Sequence, residues 1–128
     1  MAGGWQPYLD IILKGQGVKS AGIYGITDGE PWATSSDLQL SPEEVKNLAA
    51  GLKDNSQFQA NGMIAASTKY MFLTATSGGA ALGHNGPTSF LAIATKKSVI
   101  VLTTKDGANP ANITGHEFVA NDLRKKGF

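Results

Sequence analysis

Two histidines, His84 and His116, ten carboxylates and no cysteine are the groups in this chain best suited to acid–base, nucleophilic or metal chemistry. Without cysteine, thiolate catalysis, thiolate metal sites and disulfides are excluded, and a reducing compartment is the natural home. Neither histidine has an acidic partner at metal-ligand spacing, and both read as ordinary surface or half-buried side chains, His84 on a turn and His116 on a helix. Gly15-Gln16-Gly17 and Ser77-Gly78-Gly79 lack the lysine and following helix of a phosphate-binding loop. The residues therefore point away from an enzyme. No catalytic group, metal or cofactor is expected.

The aromatic residues carry more information. Trp5 and Tyr8 open the chain, Trp32 falls on an early strand and Phe128 is the last residue. Exposed indole and phenol rings suit a polyproline II ligand, whose stiff ridges slot between flat rings while N–H and O–H groups meet its free carbonyls. Trp5, Tyr8, Leu9, Ile12 and Leu13 recur at i, i+3, i+4, i+7 and i+8, the spacing of one apolar helical stripe. Two readings of Trp5 and Tyr8 stay open: rings that anchor the terminus to a core, or rings that form a binding surface.

The elements that must position these rings are legible in turn. A first helix is expected over 5–14, with Pro7 in its first turn and Gly15 beyond its end. Residues 20–27 and 31–35 read as a hairpin around Asp28-Gly29. Ser41-Pro42-Glu43-Glu44 is a capping box opening a second helix with Val45, Leu48, Ala49 and Leu52 on its buried stripe. Short apolar runs at 62–66, 69–76, 80–83, 89–95 and 98–104, joined by tight turns, predict an antiparallel meander. Leu91-Ala92-Ile93 and Val99-Ile100-Val101-Leu102 are apolar on both faces, so helices must cover both sides of the sheet. Residues 108–126 offer a final helix with Ile113, His116, Val119 or Ala120, and Leu123 inward. The fold class is α+β: the terminal helices on one face of the sheet, the middle helix or helices on the other.

At 128 residues the chain suits a single domain, 1–128, large enough for a real core. Eleven basic and ten acidic side chains leave no global field to draw it to nucleic acid or membrane, so any such binding needs a local patch. No apolar run approaches a membrane span and no leader is evident, so the expectation is a soluble, cytosolic protein.

In this order, Trp5-x-x-Tyr8, Trp32-Ala33-Thr34-Ser35, Leu40-Ser41-Pro42-Glu43-Glu44, Thr68-Lys69-Tyr70-Met71 and Leu123 followed by Gly127-Phe128 resemble profilin along essentially the whole chain. The resemblance implies a cytoskeleton-associated protein that binds monomeric actin, regulates filament assembly and links actin to proline-rich proteins such as formin-type nucleators. It implies a poly-proline groove of Trp5, Tyr8, Trp32 and Phe128, with Asp122 where profilins usually carry tyrosine or histidine. The implied actin face comprises Lys69, Met71, Leu73, His84, Asn85, Asn109, Asn112, Thr114 and His116. Gly83-His84-Asn85-Gly86 replaces the family's basic loop, two positive charges short. The implied phosphoinositide contacts are Lys96, Lys97, Arg124, Lys125 and Lys126, clustered cations of the kind that meet anionic lipid. Lys69 also reads as a solvated strand-end lysine, and 124–126 as a tail satisfying a helix dipole. Two rivals stand beside this reading. One is a profilin-like adaptor or lipid-binding protein with one surface weakened; the other is a small sensor or trafficking domain with a small-molecule pocket.

Overall fold

The computed structural model describes residues 5–35, 38–75, 79–109, 113 and 115–128. In chain order these give α1 (Gln6–Leu13), β1 (Val18–Gly25), β2 (Pro31–Thr34), α2 (Pro42–Lys53), α3 (Ser56–Asn61), β3 (Met63–Ala65), β4 (Thr68–Ala75), β5 (Ala80–Asn85), β6 (Thr88–Ala94), β7 (Ser98–Thr104) and α4 (Gly115–Lys125). The strands form one antiparallel sheet in the order β2-β1-β7-β6-β5-β4-β3. The meander from β3 to β7 is the expected one. The N-terminal hairpin joins it through β1 and β7, whose pairing runs from Val18 opposite Thr104 to Gly25 opposite Ser98.

Alternation along the central strands builds two cores. Leu91, Ile93, Ile100 and Leu102 pack with Leu9 and Ile12 of α1 and Val119, Ala120 and Leu123 of α4. Phe90, Ala92, Val99 and Val101 face the other way, onto Val45 and Leu48 of α2 and Phe58 of α3. Terminal helices on one face and middle helices on the other follow, as the two-sided apolar strands require.

Local chemistry sets the helix starts. The Ser41 hydroxyl accepts from the Glu44 N–H at 3.2 Å while Glu44 Oε1 accepts from the Ser41 N–H at 2.9 Å, a complete capping box. The same carboxylate also accepts from the N–H groups of Ala66 and Ser67 at 3.2 and 2.8 Å. Those two residues turn β3 into β4 with φ of +50° and +62°, a left-handed pair without glycine that the Glu44 bonds help to hold. Tyr24 fastens the approach to α2: its buried hydroxyl donates to the Leu38 carbonyl and accepts from the Leu40 N–H, both at 3.0 Å. Gly22 is required beside it, because a Cβ there would lie 2.7 Å from the Tyr24 ring.

Two expectations change, and one short helix is added. The final helix begins at Gly115 rather than 108, and residues 110–112 and 114 lie outside the described residues. His84 is on a strand, the penultimate residue of β5, because β5 and β6 stay paired through Asn85 and Thr88 and the turn falls at Gly86, with φ +59°. The six-residue α3 follows α2 almost at once; its only buried side chain, Phe58, lies where a Cβ on Gly51 would clash.

Because Glu44 serves both the cap and the β3–β4 turn, Glu44→Ala should cost about 2 kcal/mol in urea unfolding, against about 1 kcal/mol for Ser41→Ala. Equal losses would show that the turn gains nothing from the carboxylate.

Candidate functional site

The four rings separated in sequence come together where α1, β2 and the C-terminal residues meet. Trp5, the N-cap of α1, stacks on Trp32 of β2 with centroids 4.4 Å apart and planes at 26°. Phe128 meets Trp5 edge-on at 5.3 Å, and Tyr8 lies 6.0 Å from it. All four are half-buried and rest on the α1–α4 core. The two sequence readings are thus compatible: one side of the cluster anchors the core while the other stays open to solvent.

Phe128 is held by its backbone. Its carbonyl accepts from the Thr95 hydroxyl at 2.7 Å and from the Lys97 N–H, and its N–H donates to the Leu123 carbonyl at 2.8 Å. Lys97 Nζ lies 5.3 Å from the centre of the Phe128 ring, within cation–π range.

At the opposite side of the cluster Asp122 occupies the edge of Tyr8. The Tyr8 hydroxyl donates to Asp122 Oδ2 at 2.7 Å and accepts from Lys126 Nζ at 2.6 Å. Lys126 also pairs with Asp122 at 3.2 Å and sits 5.3 Å from the Tyr8 ring centre. The Tyr8 hydrogen bond, then Lys126, hold the Asp122 carboxyl below its ordinary range; the bond to Tyr8, then Asp122, push the Lys126 ammonium up. The polar triad keeps Asp122 charged and commits the Tyr8 hydroxyl to it.

The expected actin-facing residues divide. Met71 of β4 stands directly opposite His84 of β5, so the two share a side of the sheet. Asn85 Nδ2 donates to the Lys69 carbonyl at 3.1 Å, bringing four of the expected residues to one corner. Met71 and Leu73 are 65% and 54% exposed, Leu73 at an irregularity in the β4–β5 register, and Asn109 is exposed in the loop after β7. Asn112 and Thr114 lie outside the described residues. His116 is a correction: at 3% exposure it cannot present its ring to a partner, because it falls on the inward stripe of α4. Its Nδ1 has no hydrogen-bond partner among the described residues, and burial pushes its pKa down, leaving a neutral imidazole.

Sequence reasoning missed Phe118, 60% exposed on α4. Its signal was an aromatic residue off the inward stripe, one position before Val119. Met71 lies on the α4 side of the sheet, since its neighbours Tyr70 and Phe72 belong to the opposite core.

The five expected lipid-contacting cations do not form one patch. Lys97 and Lys126 lie against aromatic rings, Lys125 is exposed at the end of α4, and Lys96 and Arg124 line a separate cleft. Among the described residues there is no cluster of three or more potential metal ligands, and no helix is long and apolar enough to cross a membrane.

The chain matches the profilin family over residues 3–128. It is 32% identical over 128 residues to profilin-2 of Acanthamoeba castellanii, covering 97% of this chain and 98% of that protein. The crystal structure of A. castellanii profilin II superimposes with a TM-score of 0.83 at 30% identity, over 97% of this chain and 99% of that one. Two complexes share the fold at lower identity. Mouse profilin IIa with a double repeat from the FH1 domain of mDia1 gives a TM-score of 0.81 at 19% identity, covering 98% and 99% of the two chains. LokiProfilin2 bound to rabbit actin gives 0.78 at 14% identity, with 98% of each chain covered. With the aromatic cluster, the two-sided sheet and a match along nearly its entire length, this chain belongs to the profilin family.

Proposed function

We propose that this protein binds monomeric actin and proline-rich segments on two separate surfaces and so regulates filament assembly. The observation that carries the reading is the Trp5–Trp32 stack, open on one side and extended by Tyr8 and Phe128. Rings in this arrangement leave grooves between flat faces, into which the ridges of a polyproline II helix fit with little loss of chain entropy. The exposed apolar side chains Met71 and Phe118, with Lys69 and His84 beside Met71, supply the second surface. Large apolar side chains left exposed are what a protein partner covers. The family's actin and FH1 complexes support assigning the two surfaces to those two ligands. Covering one end of the actin monomer suppresses spontaneous nucleation while allowing delivery to growing ends.

The Asp122 triad sets how strongly the proline groove works. A ligand carbonyl that needs the Tyr8 hydroxyl must compete with a charge-assisted bond to Asp122. A carboxylate also offers no ring for stacking. The groove is therefore weaker or more selective than one closed by an aromatic residue.

Titrating intrinsic tryptophan fluorescence with a proline-rich peptide should give a saturable change, reduced about thirtyfold in affinity by Trp5→Ala, a central anchor worth about 2 kcal/mol. In the same assay Asp122→Tyr, which frees Tyr8 and restores a ring, should bind about tenfold more tightly; no gain would show that Asp122 does not tune the groove. Met71→Glu replaces an exposed apolar contact by a charge facing an acidic partner. It should weaken actin-monomer binding at least about tenfold and leave the proline peptide's affinity unchanged, whereas unaltered inhibition of actin nucleation would remove Met71 from the interface.

A further inference from the structure

A cleft of about 720 Å³ opens beside the aromatic cluster, and its walls are cationic. Lys46 and Lys53 of α2 project from one wall; Lys96, in the turn from β6 to β7, and Arg124 of α4 line the other. Lys46 and Lys53 are two helical turns apart, about 10 Å along the axis, with Ala49 and Ala50 between them on the same face. Small side chains between long ones make a trough flanked by ammonium groups. The Arg124 guanidinium is set in place by donating from Nη2 to the Ala94 carbonyl at 2.8 Å and from Nη1 to Asn121 Oδ1 at 3.3 Å. Both acceptors are neutral, so its charge is fixed in position and not cancelled. Among the described residues no carboxylate lines the cleft, and none of its four cations is in a salt bridge.

None of the four rings lines the cleft, but residues that line it are bonded to those that hold the groove. Thr95 lines the cleft and donates its hydroxyl proton to the Phe128 carbonyl. Ile26 lines it too, and its N–H donates to the Lys97 carbonyl at 2.9 Å, while at Gly25, next to it, a Cβ would come within 2.8 Å of Asp28 Oδ1 and 3.1 Å of Trp32 Nε1, so one carboxylate stands at this junction. The trough therefore starts next to the residues that end the row of rings. We propose that the trough reads an acidic run flanking the proline segment of the same ligand, so that one extended partner chain occupies both; this rests on the proline-groove reading. Its cations come from helices on opposite faces of the sheet and from the turn between β6 and β7, across a recess rather than in one plane, which suits a single extended chain better than a flat lipid surface. A polyproline helix advances about 3.1 Å per residue, so a short acidic run next to the stacked prolines extends along the trough without folding back.

The test compares four peptides by tryptophan fluorescence and calorimetry: about ten prolines alone, the same prolines with about four glutamates at either end, and the glutamates with the prolines replaced by glycine and serine. At about 50 mM salt, one of the two acidic proline peptides should bind about five- to tenfold more tightly than prolines alone. That advantage should disappear at about 500 mM salt and in Lys46→Ser/Lys53→Ser, whose exposed positions leave the fold and the proline-only affinity intact. If prolines alone bind and neither acidic peptide gains, the trough does not read the flank, and the groove reading stands. If prolines alone fail to bind, the groove reading falls and this proposal with it. Binding of the glutamate peptide without prolines, as tight as that of the combined one, would make the trough an independent anion site. Charge-dependent binding of phosphatidylinositol bisphosphate vesicles, lost in the double variant while acidic peptides gain nothing, would assign it to a lipid surface instead.

Discussion

Strands β6 and β7 are buried on both faces, and the rest of the molecule answers to that constraint. Ile100 and Leu102 point into one core and Val99 and Val101 into the other, so neither face can be left to water. At roughly 1.5 to 3 kcal/mol for each large aliphatic side chain buried, uncovering either face would remove more than a small domain's net stability. Helices on both sides are the consequence. Since α2 and α3 take one face, α1 and α4 must share the other, and their packing brings the two ends of the chain together. Gly115 marks how closely: a Cβ there would lie 3.2 Å from the Ile11 carbonyl oxygen and the Ile12 Cα.

The aromatic cluster is a by-product of that packing. Trp5 caps α1, Trp32 arrives on the outer strand beside β1, and Phe128 is drawn in by Leu123, Thr95 and Lys97. Each ring has one side on the core, and ring area is ample enough to stabilise the fold on that side and remain available on the other. A binding surface built this way needs no flexible loop. Its rigidity comes from the same contacts that hold the termini.

Much of this was legible in sequence, for identifiable reasons. The capping box at Ser41 and the double-sided apolar runs of β6 and β7 are local patterns with few alternative meanings, and they fixed a helix start and the layer order. The short α3 carries too few residues for a periodic stripe, and its one buried side chain, Phe58, is explained only by Gly51 on another helix. His84 was placed on a turn because Asn85-Gly86-Pro87 is strong turn chemistry, yet pairing to β6 extends the strand through it. The inward position of His116 was visible in the helical period. Its place on a partner face came from the family likeness, and packing decided against it. The basic trough could not be read at all: Lys46 and Lys53 look like solvated helix positions until α4 brings Arg124 to the facing wall.

The two ends of the ring cluster differ electrically. At Tyr8 a carboxylate and an ammonium neutralise each other around a hydroxyl, and at the other end Lys97 lies over the Phe128 ring with Lys96 and Arg124 in the cleft beyond. A polyproline helix offers similar ridges in either direction, so stacking alone distinguishes its two orientations weakly. Charge is the term that does not average out along the chain: on the proposed reading an acidic flank is drawn to the end where, among the described residues, none of Lys96, Lys97 and Arg124 is in a salt bridge. On the proposed groove reading, a carboxylate rather than a ring at position 122 thus also acts through charge. With Asp122 paired to Lys126, that end of the row stays close to neutral, and the electrostatic preference falls to the opposite one.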